Sequence, residues 1–282
     1  KRLATINKQT PIEIKLSDTI YHPYDPDKLI DFLESVEFHS LIKRINKKNE
    51  IEVKDLEFTI VQDLTLLDSI LLDNSFIIIE SFGVNYHKCE ILGMALVNEK
   101  GRFYLPFELM ENSLVIQMFL KDPLIKKNTF DYKKAKVSLK WHGFEFEGVV
   151  FDLLTAAYII NPAISKEDFR LISSYFDYTN VNYEEEIYGK NTKYHIPEES
   201  IVMQHAIKKA EALKKLKPII YQKLIENDQL SLYNDLELPL STVLADMEYS
   251  GIKVDKTILD NIGNSLNTRI KELENEIYKL SN

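Results

Sequence analysis

The stretch FIIIESFGVNYHKCEILGMALVNEKGRFYLP, residues 76–106, sets the fold class. Phe76 to Ile79 is a short apolar, β-branched run of the kind expected for a strand buried on both faces. Glu90 to Val97 and Arg102 to Pro106 flank Asn98-Glu99-Lys100-Gly101, a hairpin signal with glycine at the turn. Upstream, Phe58 to Val61 is a second strand-like run, and Leu64 to Leu72 between them has a helical pattern. Downstream come helix candidates near 111–120 and 130–140, a strand at Gly148 to Phe151, and a helix from Asp152 to about Ile160, ended by Pro162. Strands alternating with helices predict an α/β domain with a mixed sheet over about 56–227.

The flanks read as helical. Asp25-Pro26 is a helix start, with Asp as N-cap and Pro at the first helical position, followed by Leu29, Ile30, Leu33 and Val36. Glu37 to Ile45 suggests a second short helix and 46–50 a polar linker. Residues 180–197 are polar and read as an exposed loop. A long helix is expected after Pro197, running toward Leu216. Leu238 to Tyr249 is another helix, closed by Gly251. Asp255 then caps a final helix in which Leu259, Ile262, Leu266, Ile270, Leu273, Ile277 and Leu280 form a one-sided apolar stripe. Left without a partner, that stripe would pair with a copy of itself in a dimer or fray.

The chain has 282 residues, 45% hydrophobic and 28% charged, as in ordinary globular proteins. No apolar run approaches the ~18 residues of a membrane span. It opens on Lys1-Arg2-Leu3 and stops inside the last helical pattern, so a segment of a longer protein is expected. A single cysteine, Cys89, excludes an internal disulfide framework and a cysteine-built metal site, and fits a cytoplasmic location. The net charge of −9, from 35 basic and 44 acidic residues, argues against a dedicated nucleic-acid-binding domain, which usually carries a basic surplus.

Four segments together resemble bacterial family A DNA polymerase I of the Gram-positive type. Pro26 to Ile45 looks like the last helices of its 5′-nuclease domain, and Asn85 to Pro106 resembles the hairpin of its 3′–5′ exonuclease-like domain. FDLLTAAYIINP, Phe151 to Pro162, is similar to a later segment of that domain, and Leu236 to Asp255 looks like the opening of the polymerase domain. The resemblance covers essentially the whole chain in the family's order. It implies three parts: 1–50 as the tail of the 5′-nuclease domain and linker, 56–227 as a ribonuclease H-like exonuclease domain, and 228–282 as the start of the thumb helices. It further implies DNA as partner through the parent protein, with the rest of the polymerase chain, Mg²⁺ as the parent polymerase's cofactor, and a role in DNA replication and repair. No polymerase motif of the DYSQxE or VHDE kind occurs here, so this segment alone is not expected to polymerise.

Proofreading exonucleases of this family resemble one another in using two divalent metals, held by Asp-x-Glu on the first strand, an Asp on a middle helix and Tyr-x-x-x-Asp on a late helix. Carried onto this sequence, those positions fall on Ile78, Glu80, Ala135, His205 and Lys209. Only Glu80 keeps its carboxylate, and one position has become a cation. Two Mg²⁺ ions beside one carboxylate and an ammonium would leave a net charge near +4 with little to offset it. The expectation is no metal, no functional catalytic residue and no exonuclease activity. The competing expectation is an active nuclease with relocated carboxylates, such as Asp73 or Glu90. Lys209 has two open placements, paired with Glu80 because a lone carboxylate on a buried strand is costly, or pointing to solvent. Asp152 is expected as a helix N-cap, Trp141 as a packing residue, and the lysines at 208, 209, 214, 215 and 217 as a solvated helix face.

Overall fold

The computed structural model describes residues 53–164 and 168–281, together with positions 20, 25, 28, 29, 32 and 33. Two units are present, Lys1–Glu52 and Val53–Asn282. In the first, Lys28, Leu29, Phe32 and Leu33 are helical. The Lys28 amide donates to Asp25 Oδ1 at 3.4 Å, as an N-cap requires. The expected helix over 37–45 lies outside the described residues.

In the second unit the chain runs β1 (Thr59–Ile60), α1 (Leu67–Ile70), β2 (Ser75–Phe82), β3 (Glu90–Val97), β4 (Arg102–Pro106), α2 (Phe107–Glu111), α3 (Leu114–Lys121), β5 (Lys127–Thr129), α4 (Tyr132–Trp141), β6 (Val149–Asp152), α5 (Leu153–Ile160), α6 (Phe169–Tyr175), α7 (Glu184–Tyr188), α8 (Glu199–Glu226), α9 (Leu238–Ser250) and α10 (Lys256–Ser281). The six strands form one mixed sheet ordered β1-β4-β3-β2-β5-β6. β2, β3 and β4 are antiparallel neighbours, whereas β1–β4, β2–β5 and β5–β6 pair in parallel. The hairpin strands have the bounds expected from their turn. β1 departs from expectation: Thr59 and Ile60 are exposed, because it is a two-residue edge strand and not one buried on both faces.

Helix α8 is the spine. It packs along β2, β3 and β4, burying Met203, Ala206, Ile207, Ala210, Leu213, Leu216, Ile220 and Leu224. It runs ten residues past the expected end and carries Pro218 inside it. Proline costs a helix one N–H and a clash with the previous turn, and burial of Ile220 and Leu224 beyond it offsets that cost. The stretch 180–197 also departs from the expected loop. It holds α7, and Tyr188 is buried against the core.

Helix α9 packs on α4 through a cluster of polar contacts. Glu248 accepts from Tyr86 Oη and from Lys133 Nζ at 2.6 Å. Trp141 Nε1, a donor only, points at His87 Nδ1 at 3.2 Å, so the His87 hydrogen sits on Nε2 and faces Glu248 Oε1 at 2.8 Å. Burial works to raise the Glu248 carboxyl, but Lys133, Tyr86 and His87 outweigh it and hold it at about 2 against an ordinary 4.5. A carboxyl lowered in the folded state stabilises above its unfolded value and loses that contribution as pH falls toward the folded one. The α9–α4 contact is therefore expected to persist down to about pH 4.5 and to release toward pH 2. Solvent screening keeps the contribution small. Trp141, the sole tryptophan, lies against Tyr249 of α9 and supplies the readout. Its emission should step over that window in the wild type and show no such step in Glu248→Gln.

Helix α10 starts as expected, with Thr257 and Ile258 amides donating to Asp255 Oδ1. Its apolar stripe is exposed along its length.

Candidate functional site

A cleft of about 300 Å³ opens at the end of β2, between α4, α7 and α8. Ile78, Glu80, Ala135 and Lys209 all line it. Glu80 reaches it from β2 just before a register shift between Glu80 and Ser81, a bulge that re-aims the strand's last side chains. Opposite Glu80 stands Gly93, where a Cβ would meet the Tyr104 hydroxyl at 2.5 Å. Gly93 thus lets a buried aromatic ring lie beneath the carboxylate.

Glu80 is buried, and its neighbours are a cation and a phenol. Lys209 Nζ lies 2.6 Å from its Oε2, and the Tyr188 hydroxyl donates to its Oε1 at 2.6 Å. Of the two open placements for Lys209, the structure has the paired one. Lys209 Nζ also donates to Glu184 Oε1 at 3.0 Å, and His205 Nε2 stands 3.2 Å from that same oxygen. Burial alone would pull the Lys209 ammonium down, but Glu184 and Glu80 outweigh it and hold it above the usual lysine range. For Glu184, burial pushes up, yet Lys209 and then His205 bring it well below the ordinary carboxylate value. Desolvation, and next the charge of Glu80, raises the Tyr188 hydroxyl, which stays a protonated donor.

Ile78 and Ala135 contribute only apolar wall. His205 sits one helical turn before Lys209 and on the same face, fully buried. Asp73 and Glu90 do not line the cleft. Asp73 accepts the Lys126 amide at 2.6 Å, tying the turn before β2 to that before β5.

Three cleft carboxylates escaped the sequence reading, Glu184, Glu185 and Asp131. Glu184 opens α7 inside the stretch expected to be loop. Glu186 reaches back to accept the Tyr183 amide at 3.3 Å, half of a capping box, but the N-cap is a tyrosine and not the serine or threonine that would have announced the helix. Asp131 is the left-handed N-cap of α4 (φ 53°), and its side chain accepts the Lys134 amide at 3.2 Å. Asp152 caps α5 as expected and does more. Its carboxylate accepts the amides of Asp131, Tyr132 and Leu154 and the Thr155 hydroxyl, so one buried group joins β6 to the start of α4.

The lysine run of α8 is not a solvated face. Lys208 meets Asp55 at 2.8 Å, Lys214 donates to the Asn98 carbonyl, and Lys217 donates to Asn128 Oδ1 among the rings of Phe76, Phe151 and Tyr221. Only Lys215 of the five is exposed. Trp141, expected to pack, is half-exposed at the α9 contact.

Residues 77–216 match the family described as DNA polymerase I, ribonuclease H-like domain. Two relatives align with the whole chain: DNA polymerase I of Bacillus subtilis is 34% identical over 286 residues, and that of Geobacillus stearothermophilus 35% over 284. The chain belongs to the DNA polymerase I family. It spans 32% of the length of either relative. Among solved structures, the polymerase domain of Pol1 from M. smegmatis, in complex with DNA primer-template and dNTP, is similar with a TM-score of 0.62 and 22% identity. That likeness covers 77% of this chain and 36% of the other. Brucella melitensis NrnC is similar at 0.56 and 16%, covering 72% of this chain and 98% of its own. These likenesses show the ribonuclease H-like fold. Within this DNA polymerase I segment, Ile78, Glu80, Ala135 and Lys209 line one cleft, and the Lys209 ammonium stands between Glu80 and Glu184.

Proposed function

We propose that the parent protein is a DNA-directed DNA polymerase acting on DNA in replication and repair in the cytoplasm, with Mg²⁺ in its polymerase site. In this reading residues 56–227 are its proofreading-type domain, serving as scaffold without 3′–5′ exonuclease chemistry. Residues 1–50 close the 5′-nuclease domain and 228–282 open the thumb.

The observation that carries the loss of cleavage is Lys209, whose Nζ sits between Glu80 and Glu184 at 2.6 and 3.0 Å. A two-metal nuclease needs converging carboxylates around a space that cations can enter. Here the ammonium fills that space, and Ile78 and Ala135 offer no oxygen. The relocated-ligand alternative gains Glu184, Glu185 and Asp131 but neither Asp73 nor Glu90; Glu184 is engaged by Lys209 and His205, Glu185 pairs with Lys190, and Asp131 caps α4. The test is incubation of the chain with 3′-labelled single-stranded DNA and Mg²⁺ or Mn²⁺. No trimming above a no-protein control is expected. Dose-dependent trimming that a Glu80→Ala change abolishes would establish the nuclease instead.

A further inference from the structure

Two acidic groups of the cleft, Glu80 and Glu184, flank a cation that the chain itself supplies. One oxygen each of Glu80 and Glu184 and one ring nitrogen of His205 lie within 4.8 Å of one another, and Lys209 Nζ contacts both carboxylates. Two donors sharing a tetrahedral ion at ~2.0–2.1 Å stand ~3.3 Å apart, and Glu184 Oε1 and His205 Nε2 are already 3.2 Å apart. An imidazole with two carboxylates is a donor set for Zn²⁺, Co²⁺ or Mn²⁺, where Mg²⁺ would ask for oxygen alone. His205 is held on the spine helix; Glu184 Oε1 faces its Nε2, and its Nδ1 has no hydrogen-bond partner among the described residues, so the hydrogen can move to Nδ1 and leave Nε2 to an ion.

Charge explains why the ammonium and an ion are alternatives. Two carboxylates and one ammonium sum to −1, whereas two carboxylates and one divalent ion are neutral. Both cations together would stand within a few ångströms of each other in a poorly solvated cleft. We propose that Lys209 is a tethered counter-ion filling a latent single-ion site for a transition metal, with Glu80, Glu184 and His205 as ligands, and that loss of its ammonium suffices to admit the ion. This rests on reading the cleft as non-cleaving; it adds Glu184, which lies outside the positions carried over from the exonucleases, and gives His205, which stands at the carried-over tyrosine position, a ligand role.

The decisive chain is Lys209→Met, which keeps the stem and removes the charge. Co²⁺ is titrated into it and into the wild type, followed by visible absorption, with Mg²⁺ as control and folding followed by circular dichroism. Lys209→Met should take up about one equivalent of Co²⁺, displaceable by Zn²⁺, roughly tenfold or more tighter than the wild type does. Adding His205→Ala should abolish the difference. Folding of Lys209→Met only when Co²⁺ or Zn²⁺ is present would equally support the site. Equal uptake by wild type and Lys209→Met, uptake indifferent to His205→Ala, or a Lys209→Met chain that no metal folds would each overturn it. The two readings fail separately: 3′ trimming by the wild type sinks the non-cleaving domain, and absent uptake by Lys209→Met sinks the latent site alone.

Discussion

Replacing Lys209 by methionine, with divalent metals chelated, is expected to cost about 3–5 kcal/mol of stability, the range for removing one partner of a buried ion pair. The side chain of Lys209 is 8% exposed and that of Glu80 2%, so water cannot take over the lost contact. Glu80 would keep only the Tyr188 hydroxyl. Glu184 is less affected, since its side chain is 41% exposed and His205 still faces it. A second change in the same chain, Glu80→Gln, should recover most of the loss. The amide oxygen can accept from Tyr188 while no charge remains to be desolvated. Urea unfolding of the wild type, the two single variants and the double variant measures the coupling. If the double variant is as unstable as Lys209→Met, the lysine stem's packing, not its charge, holds the cleft together.

How much of this was legible beforehand follows from which signals are local. The 90–106 hairpin was readable because two strand-like runs, a polar turn and Gly101 agree within seventeen residues. Asp152 and Asp255 were readable as caps because a cap needs only the next three residues. The pairing of Glu80 with Lys209 spans most of the domain, so the residues and the cost of an unpaired carboxylate allowed it without requiring it. Glu184 was missed because 180–197 is mostly polar and its few apolar residues show no helical period. Its helix is supported by Glu186 accepting the Tyr183 amide and by Tyr188 docking on Glu80, and the docking is a tertiary contact. The lysines of α8 misled for a similar reason. Their partners, Asp55, Glu80, Glu184, the Asn98 carbonyl and Asn128, lie on other elements, and composition alone cannot distinguish a paired lysine from a solvated one.

Strand β5 is the clearest case of a fold element hidden by its own chemistry, and it carries the other large expected effect. Its sequence is Lys127-Asn128-Thr129, three polar residues in a fully buried strand between β2 and β6. Lys127 is completely inaccessible, yet its Nζ donates to the carbonyls of Asp122 and Ile125 at 2.8 Å and of Glu147 at 2.9 Å. Burial pulls its ammonium down to about 8, against the nearby charges of Asp122, Glu147 and Asp73. It therefore remains charged at neutral pH, and its three N–H groups match three acceptors. The same pocket demands Gly148, whose φ is +74° and where a Cβ would meet the Ile125 carbonyl at 2.3 Å. Lys127→Met leaves those carbonyls facing a thioether. It should cost about 3–5 kcal/mol, from several buried acceptors left without donors at ~1–3 kcal/mol each. Lys126→Met, one residue away and exposed, should stay within about 0.5 kcal/mol, because its structural contact is made by the backbone amide to Asp73. Hydrogen exchange separates this from a general loosening: amides of 127–129 and 149–152 should lose protection first, while the β2–β3 ladder keeps it. A Lys127→Met chain as stable as Lys126→Met would mean that the three carbonyls find water or one another. The sheet would then be held at β5 by its backbone alone.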